Sequence, residues 1–222
     1  MRKRQGLTLV ELLIVIAAII VLLVLFAPHG GRSREEARRI RCRNILSQLS
    51  RGMATYLTEL GDGRFYPCPL ERGETVGTYN GAEWLAALYW TRVVPDPGMF
   101  LCPASPDTNS NGKDIGCKRA NDAGGRFSSQ TVSYAGMWWK SVATVNGGAI
   151  PARFPENEPM ACDDTQGGIN HGEATNGGMC ILFFDSHVEF KTNTELDITS
   201  RTGSIGKGFP NPPKTLLWRL RN

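Results

Sequence analysis

The sequence predicts an α+β chain: a long N-terminal α-helix, one half apolar enough for a membrane and the other amphipathic, packed on a small antiparallel β-sheet head. Three observations lead there. Residues 7–27 read LTLVELLIVIAAIIVLLVLFA, with only Thr8 and Glu11 not apolar. Residues 33–60 then carry apolar side chains mostly at helical spacing. Beyond residue 62 the apolar runs are short, β-prone and separated by long polar connections. The expected divisions are a leader at 1–6, an apolar helix at 7–27, its amphipathic continuation at 28–61 and a globular head at 62–222.

Composition bounds the rest. A chain of 222 residues has room for one domain of ordinary size and an appendage. With 41% hydrophobic and 21% charged residues, neither a disordered chain nor a many-span membrane protein fits. No Gly-x-y period and no repeat of 20–50 residues is present, which excludes collagen and solenoids. A net charge of +4 is too mild to point to nucleic acid, and no nucleic-acid partner is expected. The chain has no P-loop, nucleophile elbow or dinucleotide fingerprint. No enzymatic activity, catalytic residue, cofactor or metal is expected.

The N-terminus is the most specific part. Arg2, Lys3 and Arg4 form a basic head before the apolar stretch. That stretch is longer than the h-region of a cleaved secretory signal, and no Ala-x-Ala site follows it. At about 1.5 Å per residue its 21 residues reach roughly 31 Å, one bilayer core. A plain anchor has no use for Glu11, because a carboxylate in an apolar span costs roughly 2.5–3.5 kcal/mol on insertion scales. The string GLTLVELLIVIAAII resembles the type IV prepilin and type II secretion pseudopilin signature: basic leader, Gly, a hydrophobic residue, Thr, two apolar residues, Glu, then an apolar helix. The resemblance implies a pilin-like fold, cleavage after Gly6 by a membrane prepilin peptidase, N-methylation of Leu7, and packing of the helix into a filament core with other pilin or pseudopilin subunits. Leu7 stands where many members carry Phe. In a filament core Glu11 would pair with the new amine of a neighbouring subunit and set register.

Six arginines between Arg32 and Arg43 would draw that flank to the cytoplasm by the positive-inside rule. The leader must meet its peptidase on the cytoplasmic face, so the head is placed in the periplasm and the helix in the inner membrane. Pro28, Gly30 and Gly31 predict a break, with His29 as a solvated hinge residue. Ser33 and Glu36 have the form of a capping box that restarts the helix. Its buried stripe is read as Ala37, Ile40, Ile45, Leu49, Met53, Tyr56 and Leu60, with a stop near Gly61-Asp62-Gly63. The segment from Ser33 to Pro67 resembles a planctomycete-type prepilin-like group characterised by a downstream His-x9-Asp-Gly pattern. Matching residues are Arg34–Arg39, Cys42, Asn44, Leu46, Leu49 and Gly63-Arg64-Phe65. Here the pattern is degenerate: thirteen residues separate His171 from Asp185, and Ser186 replaces Gly.

In the head, 83–91 reads as a short helix with Trp84, Leu85 and Leu88 inward. Segments 131–139, 179–184, 187–191 and 215–220 read as strands, with a two-residue hairpin turn at Asp185-Ser186; 103–130 and 151–178 read as polar connections. Six cysteines in an exported body would tend to pair. Cys102–Cys117, closing a polar loop, and Cys162–Cys180 are the candidate disulfides, leaving Cys42 and Cys68; without C-x-x-C spacing, no zinc ribbon is expected. Asp107, Asn109, Asn111 and Gly112 begin like a calcium loop, but Lys118 stands where the bidentate Glu belongs, so an Asx-rich turn is the competing reading. His171, Asp185 and His187, with Asp163 and Asp164, are an imaginable metal or acid–base set, read here as turn and strand-edge residues.

The expected function is a structural subunit of a type IV pilus-like filament or a type II secretion pseudopilus. The alternative is a membrane-anchored periplasmic or surface binding module that does not assemble, and has no need of Glu11 or of cleavage.

Overall fold

In a computed structural model the chain is described at residues 8–26, 30–67, 81–109, 115, 131–137, 150–153, 155–163, 170–172, 177–196, 217 and 220–221. It divides into two units, Met1–Glu36 and Ala37–Asn222. In the first unit α1 covers Leu9–Phe26. Its start is set by Thr8, which caps the helix: Glu11 Oε2 accepts from the Thr8 backbone N–H at 2.9 Å, and the Glu11 N–H donates back to Thr8 Oγ1 at 3.3 Å. This reciprocal capping box shortens the expected apolar helix. At 18 residues it is about 27 Å long. Among the described residues no helix is long and apolar enough to cross a membrane; Leu7 and Ala27, the ends of the expected span, lie outside the described residues. Every large apolar side chain from Leu9 to Val24 is exposed.

Helix α2 covers Gly30–Glu59, so Ser33 lies inside it rather than at its cap. Pro28 and His29 lie outside the described residues. The buried seam of α2 is Cys42, Leu46, Leu49 and Met53, a clean i, i+4, i+7, i+11 series. Ile40 and Leu60, both expected inside, are half exposed, and Ala37 is exposed. The helix stops where expected, with Asp62 and Gly63 both at positive φ. The Gly63 N–H closes back onto the Leu57 carbonyl at 2.8 Å.

Helix α3 (Gly81–Trp90) buries Trp84, Leu85 and Leu88 as expected. It lies on the sheet at Gly136, where a Cβ would sit 2.4 Å from the Gly81 carbonyl oxygen and 3.1 Å from Trp84 Cε3. Only glycine permits that approach. The sheet is antiparallel and runs β4-β3-β2-β1-β5: β1 Tyr134–Met137, β2 Pro159–Asp163, β3 Gly178–Phe183, β4 Val188–Thr192, and the two-residue edge β5 Leu220–Arg221. The α+β class with a small antiparallel sheet is as the sequence indicated. The central strand β2 is not, since it falls in a stretch expected to be a polar connection. PMACD has no β-branched or aromatic residue; pairing with β1 and β3 on its two sides makes it a strand.

The β3–β4 hairpin turns through three residues, Phe184, Asp185 and Ser186, not two. The Ser186 N–H donates to the Phe183 carbonyl at 2.9 Å, the Phe183 N–H donates to the His187 carbonyl at 3.0 Å, and Ser186 sits at φ 75°. This is a type I turn with a bulge whose third position favours glycine. Ser186→Gly is therefore expected to raise unfolding stability by about 0.5–1 kcal/mol, seen as a higher denaturant midpoint at unchanged m value.

Candidate functional site

The sheet register assembles a row of side chains across four strands. Tyr134 is opposite Asp163, and Cys180 is opposite Phe190. Between them, Cys162 pairs with Ile181, which leaves Asp163 beside Cys180, and the Cys180 N–H donates to Asp163 Oδ2 at 2.8 Å. Because strand side chains alternate, Tyr134, Asp163, Cys180 and Phe190 share one face. Helix α2 covers that row. Its Cys42 thiol donates to Asp163 Oδ1 at 2.6 Å and lies 3.7 Å from the Tyr134 hydroxyl. The Arg39 carbonyl, one turn earlier, is 3.9 Å from Cys180 Sγ, and the Arg39 guanidinium stacks 4.2 Å over the Phe190 ring.

Two loops close the cluster. The 3-10 turn Pro97–Phe100, capped by Asp96, leads directly into Cys102. The Phe100 carbonyl accepts from the Ser133 N–H at 2.8 Å, which ties this loop to the start of β1. His171 is held by a bridge to Gly178, whose N–H donates to the His171 carbonyl at 3.0 Å. His171 Nε2 then lies 3.6 Å from Cys102 Sγ and 3.4 Å from Asp163 Oδ2. Ligand atoms of Cys42, Asp163, His171 and Cys180 all lie within 4.8 Å of one another. Each of these four residues, and Cys102, is at most 2% exposed.

Such burial reshapes the acidities. Burial pushes the Cys42 thiol and the Tyr134 phenol up. The Asp163 carboxyl is raised to about 7, first by burial and then by the charge of Cys102. The Cys102 thiol is lowered to about 5, first by the hydrogen bond with Cys42, against the pull of burial, and further by His171. The geometry is not that of a nucleophile–base–orienter triad. Both the thiol and the carboxylate approach the same His171 nitrogen, whereas a triad needs one on each, and a wholly buried set offers no path to a substrate. What the arrangement offers is a sealed convergence of sulfur, imidazole and carboxylate donors.

The sequence-derived candidates are placed as follows. Arg2, Lys3, Arg4, Gly6, Leu7, Cys68, Asn111, Cys117, Lys118 and Asp164 lie outside the described residues. Cys162 and Cys180 are free thiols, not a disulfide: their positions alternate along adjacent paired strands, so they project to opposite faces of the sheet. Cys102 is also a free thiol, turned toward His171 instead of a loop-closing partner. Asp185 and His187 pair with each other in the exposed hairpin turn, where His187 stacks on Phe183 at 4.2 Å. They are separate from His171 and Asp163 in the core. In the calcium-like loop, the buried Asn109 donates its amide to the Pro97 and Thr131 carbonyls at 2.7 and 3.0 Å. Both partners are remote in sequence, so Asn109 staples two loops together and does not close a local Asx turn. The convergence of Cys42, Cys102 and Cys180 on the Asp163–His171 pair was missed because the three cysteines lie at least 60 residues apart in sequence. The one available signal was Cys42 itself, in phase with Leu46, Leu49 and Met53 on the buried seam. No family model, curated protein or solved structure matches the chain.

Proposed function

We propose that the chain is a prepilin-type subunit, cleaved between Gly6 and Leu7, methylated on the new N-terminus and assembled through its apolar helix into a pilus-like filament or secretion pseudopilus. The observation that carries this reading is α1: apolar side chains exposed on every face, with one carboxylate in the first turn. An all-round apolar helix needs lipid or other helices against it. A filament core supplies those helices, and the inner membrane holds the subunit before assembly. Three cations ahead of Gly6 fit a leader retained on the cytoplasmic side. The head is then the surface displayed in the periplasm or on the filament.

Intact mass of the protein from its native membrane tests the reading. The expected mass is that of a chain beginning at N-methyl-Leu7, and Gly6→Ala is expected to leave the leader in place, because a side chain at this position obstructs the peptidase's approach to the backbone. A parent chain that keeps its leader in the native host would overturn the proposal and favour the non-assembling anchored module.

A further inference from the structure

The buried cluster described above is independent of the filament reading. A core built on Leu46, Leu49, Phe100 and Ile181 holds a carboxylate, an imidazole and three thiols at almost zero exposure. Groups of this kind are costly to bury unless paired or bound to a cation. Their arrangement is also too convergent for a simple hydrogen-bond chain. Cys42 reaches Asp163, Cys180 stands beside the same carboxylate, and His171 points one nitrogen at both Asp163 and Cys102.

We propose that this cluster is a structural zinc centre that clamps helix α2 to the sheet. Cys42 from α2, Cys180 from β3 and Asp163 from β2 are ligands, with His171 Nε2 from the loop before β3 as the fourth. Their mutual separation, within 4.8 Å, brackets the roughly 3.8 Å edge of a tetrahedron with Zn–S bonds of about 2.3 Å. Closure to bonding distance takes side-chain movements of an ångström or less. Cys102, 3.6 Å from His171 Nε2, is a further donor placed to replace the Asp163 carboxylate. Thiolate and imidazole donors favour zinc over calcium or magnesium, which take oxygen ligands. Four protein ligands in a sealed core leave no open position, so the centre holds structure and performs no hydrolysis. Binding displaces the thiol protons of Cys42 and Cys180 to solvent; two thiolates and the Asp163 carboxylate against the doubly charged metal then leave the centre with a single net negative charge, in place of three separate buried acidic groups. The ligands come from parts of the chain as far apart as residues 42 and 180, which explains why no short zinc motif marks the sequence.

The test is elemental analysis of the full-length protein purified in zinc-containing buffer without chelator, followed by zinc-edge X-ray absorption. One zinc per chain is expected, with two sulfur neighbours at about 2.3 Å and two nitrogen or oxygen neighbours at about 2.0–2.2 Å. Three sulfur neighbours would support the centre with Cys102 in place of Asp163. Cys42→Ser and His171→Ala are expected to lose the zinc. Cys162→Ser, which alters a buried thiol on the opposite face, is expected to keep it. The absorption spectrum of the parent chain decides the matter even if the ligand variants fail to fold. Two results would overturn the proposal: a metal-free parent chain with a disulfide among Cys42, Cys102 and Cys180, or zinc that persists undiminished in a folded Cys42→Ser chain.

Discussion

Trp84→Ala is expected to destabilise the head by about 3–5 kcal/mol, enough to unfold much of it at physiological temperature. Trp84 is fully buried where α3 meets β1. Its ring lies 6.3 Å from Tyr66 and 6.5 Å from Phe184, and those two rings stand edge to face at 5.4 Å. The three aromatics join segments that are remote in sequence: the end of the α2 turn, helix α3 and the hairpin after β3. Truncation therefore removes both the buried area of an indole and ring contacts worth about 0.5–1.5 kcal/mol per pair. The neighbouring backbone, held by the close approach at Gly136, has little freedom to collapse into the space. Denaturant unfolding followed by circular dichroism reads the effect. Ile40→Ala, at a half-exposed position on α2, serves as a reference and is expected to change stability by less than about 0.5 kcal/mol. A loss below about 1 kcal/mol for Trp84→Ala would mean that the aromatic group is not the keystone of the head.

The elements legible from sequence were those with a strong local pattern. Helix α3 announced itself by Trp84, Leu85 and Leu88, and β3 by a run of apolar residues ending in two phenylalanines. The Gly61-Asp62-Gly63 stop also held, because positive φ is a local demand that these residue types meet. Strand β2 was illegible because its extended form is imposed by two neighbours, neither of which is adjacent in sequence. The expected stripe on α2 held at Leu49 and Met53 and failed at its ends for a related reason. Ile40 and Leu60 look like core residues by hydrophobicity, yet the seam is fixed by Cys42, and a cysteine's burial follows from what it meets across the sheet. His171 illustrates the same limit. The sequence could group His171 with Asp163 among acidic and histidine candidates, but only the bridge to Gly178 turns it inward against that carboxylate and away from Asp185 and His187.

On the proposed prepilin reading, Glu11→Gln is expected to abolish filament assembly while leaving cleavage, membrane insertion and the folded head intact. Glu11 has two roles open to it, and the substitution separates them. In the single chain its carboxylate caps α1 by accepting from the Thr8 backbone N–H and hydroxyl, both at 2.9 Å. Glutamine completes a capping box as well, so the helix start is retained. What glutamine cannot supply is a negative charge for the cationic amine that the proposed cleavage would leave on Leu7 of a neighbouring subunit. An uncompensated charge in an apolar core costs roughly 2.5–3.5 kcal/mol, about a hundredfold in each subunit addition. Because a filament repeats that contact at every subunit, the loss compounds and long polymers should vanish. Sheared filament yield, or subunit crosslinking in native membranes, reads assembly; intact mass confirms processing of the same chain. If Glu11→Gln chains polymerise as the parent does while Glu11→Ala chains do not, the carboxylate serves only as a cap, and the charge-pair account of register is wrong.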